Sequence, residues 1–175
     1  SEIETLKDPK NKICDRLGIR AMMVCVPKTS VVSFAKVVEK SGVEVVDLVL
    51  SPIADFEEVK TEELESGMTA IINIGKTITT VSMFNKGIIT NTSVLKIGSK
   101  IIDDDISYIY YTTKKAARKA KENFGIAHPR YANKNETYEV RDVNGKLVRI
   151  NQYELSKVIN KRLVEILNVA KNELK

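Results

Sequence analysis

Residues 68–96 constrain this chain more than any other stretch. Three apolar segments, 68–74, 78–84 and 88–96, are separated only by turns around Gly75-Lys76 and at Asn85-Lys86-Gly87. A parallel crossover needs a dozen or more residues, so connections this short dictate an antiparallel meander. After Gly98-Ser99 the apolar period lengthens. Ile101, Ile102, Asp105, Ile106, Ile109 and Tyr110 describe an amphipathic helix, and a second helix covers 113–124. "NETYEVRDVNGKLVRI" (135–150) predicts a hairpin around Asn144-Gly145. A last helix starts near Asn151 or Gln152. It carries Leu155, Val158, Ile159, Leu163, Ile166, Leu167 and Ala170 on one stripe, and Lys157, Lys161, Glu165 and Asn168 on the other side.

Ahead of the meander, "DPKNKICDRLG" (8–18) reads as loop and "IRAMMVCV" (19–26) as a buried strand closed by Pro27. Val31, Val32, Phe34, Ala35 and Val38 recur at helical spacing up to Ser41-Gly42. "VEVVDLVL" (43–50) predicts a second strand, stopped by Ser51-Pro52, so that strand, helix and strand form a crossover unit. The acidic stretch "ADFEEVKTEELESG" (54–67) is expected to be a solvated connector between subdomains.

Composition excludes several functions. At 43% hydrophobic and 29% charged, the chain is that of a globular protein, and no apolar run reaches the ~20 residues of a membrane span. "SEIETLKDPK" lacks a signal peptide's plan, which favours a cytoplasmic location with Cys14 and Cys25 reduced. A single histidine, His128, leaves no His-based metal site or triad. The charge of +5 sits mainly in "KKAARKAKENFG" (114–125), where a helix would align Lys114, Arg118 and Lys121, with Lys115 and Lys119 on an adjacent strip. The leading reading is a solvated face. An acidic peptide or membrane surface is the alternative, and no aromatic interleaving supports nucleic acid. Asp103, Asp104 and Asp105 resemble a metal cluster, but carboxylates at a helix start also oppose the positive dipole end, worth about 0.3–1 kcal/mol each. That role is expected here. Of Tyr108, Tyr110 and Tyr111, two are expected to pack and one to be exposed.

The order and spacing of these strings resemble the FtsA family of cell-division proteins, within the actin/Hsp70/sugar-kinase superfamily. The likeness runs from "DPKNKICDRLGIRAMMVCVPK" through "VVEKSGVEVVDLVLSPIA" (37–54). It is closest over "GMTAIINIGKTITTVSMFNKGIITNTSVLKIGSKIIDDDIS" (67–107), which aligns without gaps on the family's hydrophobic-Asp-Ile-Gly-Gly-Gly-Thr strand, its hairpin and its next helix start. "ELSKVINKRLVEILNVAKNEL" (154–174) is similar to the family's long helix. The resemblance implies an α/β chain with part of an actin-like (ribonuclease H-like) ATPase fold. Residues 1–53 would end the small βαβ subdomain, 54–97 would open the second large lobe, and 98–175 would be that lobe's small subdomain. Half of such a fold leaves apolar surface, so self-association into actin-like filaments is expected.

The resemblance also names two sites. Family members place a metal-binding aspartate where Asn73 stands, and glycines where Lys76 and Thr77 stand beside Gly75. Asn73 lacks the charge to hold hydrated Mg²⁺, and the two side chains crowd the backbone's approach to phosphate. A first phosphate motif and a Gly-Gly adenosine loop have no counterpart here either. The expectation is a degenerate nucleotide site, no ATP or Mg cofactor, no bound metal and no hydrolysis by this chain. The second site is the family's pocket for the C-terminal tail of FtsZ. Arg162 matches its central arginine, Glu165 the acid after it, and Thr113 the hydroxyl residue opening the second helix. Glu154 stands where relatives often carry a base, and Lys157 and Lys161 are the candidates to compensate. A surface Arg162 paired locally with Glu165 is the plain alternative. The implied role is an adaptor that tethers or organises the division ring, with membrane attachment through regions outside this chain or through partners. The rivals are an active ATPase of chaperone or kinase type and a pilus-assembly scaffold.

Overall fold

The computed structural model describes residue 10, residue 13, residues 15–19 and residues 21–174; the expectations for Cys14 and for most of the N-terminal loop lie outside these. Two compact units are present, Ser1–Val46 and Asp47–Lys175. Cys25, in the first, is a free, exposed cysteine.

The first unit contains helix α1, Lys28–Lys40, which ends at Gly42 in a left-handed conformation (φ 88°). Among the described residues of 19–26 and 43–50 the expected flanking strands are not formed. Among their described residues no ladder is present, and Met23, Val26 and Val46 are exposed. β-Branched content suits a pleated surface, but a strand exists only with a partner to receive its N–H and C=O groups. The apolar stripe on α1 is likewise open, with Phe34 76% and Val37 68% exposed.

The second unit begins with a departure from expectation, because the acidic segment is helical. Helix α2 spans Ser51–Val59 and α3 Glu62–Ser66. Pro52, expected to stop a strand, sits in the first turn of α2, where its missing N–H costs nothing. Thr61 caps α3 by accepting from Leu64 N. The apolar residue that anchors α2 is Phe56, fully buried and stacked on Phe84 with centroids 4.3 Å apart.

Phe84 belongs to the meander, which forms as the turn lengths require: β1 Met68–Ile74, β2 Thr79–Asn85 and β3 Ile88–Leu95, in that order and antiparallel. The β2–β3 turn has Lys86 at φ 50° and Gly87 at φ 73°, the paired positive φ values of a type I′ hairpin. Helices α4 (Lys100–Ile109) and α5 (Lys114–Phe124) follow, then a 3-10 turn, the hairpin β4 (Thr137–Arg141) and β5 (Leu147–Asn151), and α6 (Gln152–Asn172). Asn151 caps α6 through Tyr153 N and Glu154 N. One core joins these elements: Ile102 and Ile106, Ala117 and Ala120, Val140 and Ile150, Leu155 and Ile159. The two alanines let α5 lie close to its neighbours. Thr112, itself buried, donates to Arg141 O (2.6 Å) and fastens the end of α4 to the hairpin.

Candidate functional site

The groove between α4 and α6 follows from helical phase. Asp105, Tyr108 and Ile109 stand at i, i+3 and i+4 on α4, so they share a face, as do Lys157, Val158, Lys161, Arg162 and Glu165 on α6. Together these eight residues line a groove of about 410 Å³. Tyr108 (86% exposed) and Ile109 (54%) offer apolar surface on one wall, and the cations stand on the other.

Arg162 is the best-anchored charge in the groove. Its Nε donates to Asp105 Oδ2 (2.7 Å) and its Nη2 to Asp105 Oδ1 (2.9 Å), a two-pronged bond between helices. Nη1 donates to Glu165 Oε2 at 2.6 Å. The Asp105 hydrogen bond, more than any other influence, raises the guanidinium's already high pKa, so its charge is fixed. Lys157 pairs with Glu154 (2.8 Å), which raises the amine's pKa, and it also lies over the Tyr153 ring at 4.6 Å. Lys161 makes no ion pair among the described residues.

The structure thus brings together four of the five residues expected in the tail site: Arg162, Glu165, Lys157 and Lys161. Thr113 is not in the lining; its hydroxyl caps α5 by accepting from Ala116 N. The local Arg162–Glu165 pair weighed as the plain alternative is present, but it is the lesser of the two anchors. Asp105, Tyr108 and Ile109 are not among the expected site residues; their i, i+3, i+4 spacing puts them on one face of α4, but only the packing of α4 on α6 makes that face a groove wall.

The aspartate run does more than its helix-start position suggests: Asp103 stands in the first turn of α4, against the positive dipole end, and all three side chains also pair with cations. Successive residues on a helix point about 100° apart, and each aspartate meets a different cation: Asp103 with Lys121 (2.5 Å), Asp104 with Lys114 (2.6 Å) and Asp105 with Arg162. Asp103 is buried, and the Lys114 hydrogen bond holds the Asp104 carboxyl below its ordinary pKa. These pairs also engage part of the basic face of α5, so that face is not simply solvated. Among the described residues no group of three or more His, Cys, Asp or Glu side chains is suited to a metal ion. Of the three tyrosines only Tyr110 packs into the core, and Tyr108 and Tyr111 are both exposed.

At the first bend of the meander, Gly75 N donates to Ile78 O (2.9 Å), closing the turn on itself. Its carbonyls then receive the start of α4: Ser99 N reaches Gly75 O (2.9 Å) and Lys100 N reaches Lys76 O (2.8 Å). Gly98 is required there, since a Cβ would fall 2.6 Å from the Lys76 carbonyl. Lys76 and Thr77 are exposed, and Asn73 donates its amide to Asp55 Oδ2 at 2.8 Å.

The family model described as "Cell division protein FtsA" matches residues 70–172, which take in the meander, both helices of the groove and the hairpin. The cell division protein FtsA of Streptococcus pneumoniae serotype 2 is 34% identical over 172 residues, 97% of this chain and 37% of that protein. The FtsA of Bacillus subtilis is 28% identical over 98% of this chain and 39% of its own. The chain therefore spans under two-fifths of the length of these relatives. Among solved structures, MreB5 of Spiroplasma citri bound to AMPPNP superposes with a TM-score of 0.67 at 21% identity, over 85% of this chain and 47% of that one. The PilM-PilN type IV pilus biogenesis complex gives 0.58 at 15% identity, over 84% and 36%. At such identities these two likenesses concern the actin-like fold.

Proposed function

We propose that this chain, which belongs to the FtsA family of cell division proteins, is an adaptor that receives the C-terminal tail of FtsZ in the α4–α6 groove. The observation that carries this is the convergence of Lys157, Lys161 and Arg162 beside Tyr108, Ile109 and Val158. A short tail with acidic and apolar groups needs basic donors next to an apolar wall, and this groove supplies both. Tail binding then lets the adaptor tether or organise the division ring at the inner face of the membrane. Among the described residues no helix is long and apolar enough to cross a membrane. Apolar exposure on α1 at Phe34 and Val37 supports self-association.

The reading also holds that this chain does not hydrolyse ATP. Support comes from the engagement of Asn73 with Asp55 and from a turn whose carbonyls already receive Ser99 and Lys100. The test is fluorescence anisotropy with a labelled FtsZ tail peptide. Arg162→Ala and Lys161→Ala should each weaken binding, with folding checked by circular dichroism. Unchanged affinity in both variants would overturn the assignment. Mg-ATP should leave the melting temperature unmoved, and a clear upward shift would revive a working nucleotide site.

A further inference from the structure

Two carboxylates share Arg162 unequally. Asp105 uses both oxygens, spans two helices 57 residues apart in sequence, and is as shielded as the arginine, with side chains 28% and 24% exposed. Glu165 makes one contact, lies three residues away on the same helix, and is 53% exposed. The Asp105 bond fixes the Nε/Nη2 edge of the guanidinium. Glu165 covers only Nη1, the edge that remains for a ligand.

Resting on the peptide-groove reading above, we infer that Asp105 is a positioning residue and that Glu165 is an internal stand-in for the ligand's carboxylate. An incoming acidic group displaces Glu165 from Nη1, and the freed Glu165, already half-exposed, turns to solvent. The number of ion pairs is conserved in this exchange, so the groove discriminates in favour of ligands whose carboxylate outcompetes a neighbour already in place. An apolar peptide with no acid gains nothing from Arg162, since it leaves Glu165 where it is. Asp105 matters differently: without it the long arginine side chain loses its fixed direction, and the donor edge is no longer presented to the groove.

The experiment uses the full chain, two variants and two readouts. In the ligand-free protein, the Arg162 Nε–H resonance in ¹⁵N NMR should be protected from solvent exchange in the wild type and in Glu165→Gln, and lose that protection in Asp105→Asn. In titrations with the FtsZ tail peptide, Glu165→Gln should bind about two- to fivefold more tightly, the range an exposed ion pair commands. Asp105→Asn should bind at least threefold more weakly, by order-of-magnitude reasoning from the loss of a partly shielded, charge-assisted bond. Weaker binding by Glu165→Gln would make Glu165 a ligand contact and overturn the exchange. A protected Nε–H in Asp105→Asn would overturn the positioning role. A wild-type chain that binds no tail peptide would sink the groove reading and the exchange together, while the NMR result would still decide the role of Asp105.

Discussion

Replacing Asn73 with aspartate installs the acid that the family resemblance implies at this position, where it would meet Asp55. Asn73 Nδ2 lies 2.8 Å from Asp55 Oδ2. Asn73→Asp removes the donor, a loss of about 0.5–1.5 kcal/mol, and sets two carboxylates side by side. At about 4 Å their repulsion is ~1 kcal/mol in water and ~4 kcal/mol at the effective dielectric of a protein surface. Both side chains reach solvent, which places the pair toward the lower figure, and we expect a total destabilisation of about 2 kcal/mol at pH 7. The assay is urea unfolding followed by circular dichroism at pH 7 and again near pH 4. Protonation removes the repulsion, so the deficit should shrink in acid. Asp55→Asn combined with Asn73→Asp swaps donor and acceptor and should recover most of the loss. An Asn73→Asp variant as stable as the wild type at pH 7 would refute the reasoning, because the contact would then carry no weight.

Three further outcomes follow from the packing and the charges. Gly98→Ala should cost about 1–3 kcal/mol in thermal or urea melts, the range for overpacking, because its Cβ would meet the Lys76 and Gly75 backbone, which cannot swing aside. Asp103→Ala strands the largely buried Lys121 with only the Ser99 carbonyl at 3.3 Å; a loss of about 3 kcal/mol is expected for breaking such a pair. Burial, then the nearby Glu154 charge, raise the Tyr110 pKa. The unfolded chain therefore ionises this phenol first, and stability should fall as pH rises above about 10. Absorbance at tyrosinate wavelengths should show one late-titrating group that Tyr110→Phe removes.

Much of this architecture is legible in residue order because it depends on local chemistry. Turns of two and four residues in the meander leave a chain no choice but antiparallel return, and Asn151 caps the helix that starts beside it. The failures share a physical cause, which is that the deciding partner is remote. Residues 19–26 and 43–50 have strand-like composition, yet a ladder depends on what lies alongside. The helix α2 hides in an acidic stretch because its one buried residue is Phe56, whose target Phe84 is far along the chain. The candidate site divides the same way. Arg162, Glu165, Lys157 and Lys161 sit on one helix and are named by the family resemblance, whereas Asp105, Tyr108 and Ile109 join them only when α4 packs on α6. The separate pairings of the three aspartates lie outside what residue order tells, because a helix sends adjacent carboxylates in three directions toward remote partners.

The central claim is that a tail peptide docks between α4 and α6. Amide chemical-shift mapping on ¹⁵N-labelled protein, titrated with the C-terminal FtsZ peptide, addresses it most directly. The account predicts that the largest shifts fall on Tyr108, Ile109, Lys157, Val158, Lys161 and Arg162, with the β1–β2 bend left still. Shifts gathered elsewhere on the surface, or none at millimolar peptide, would contradict it.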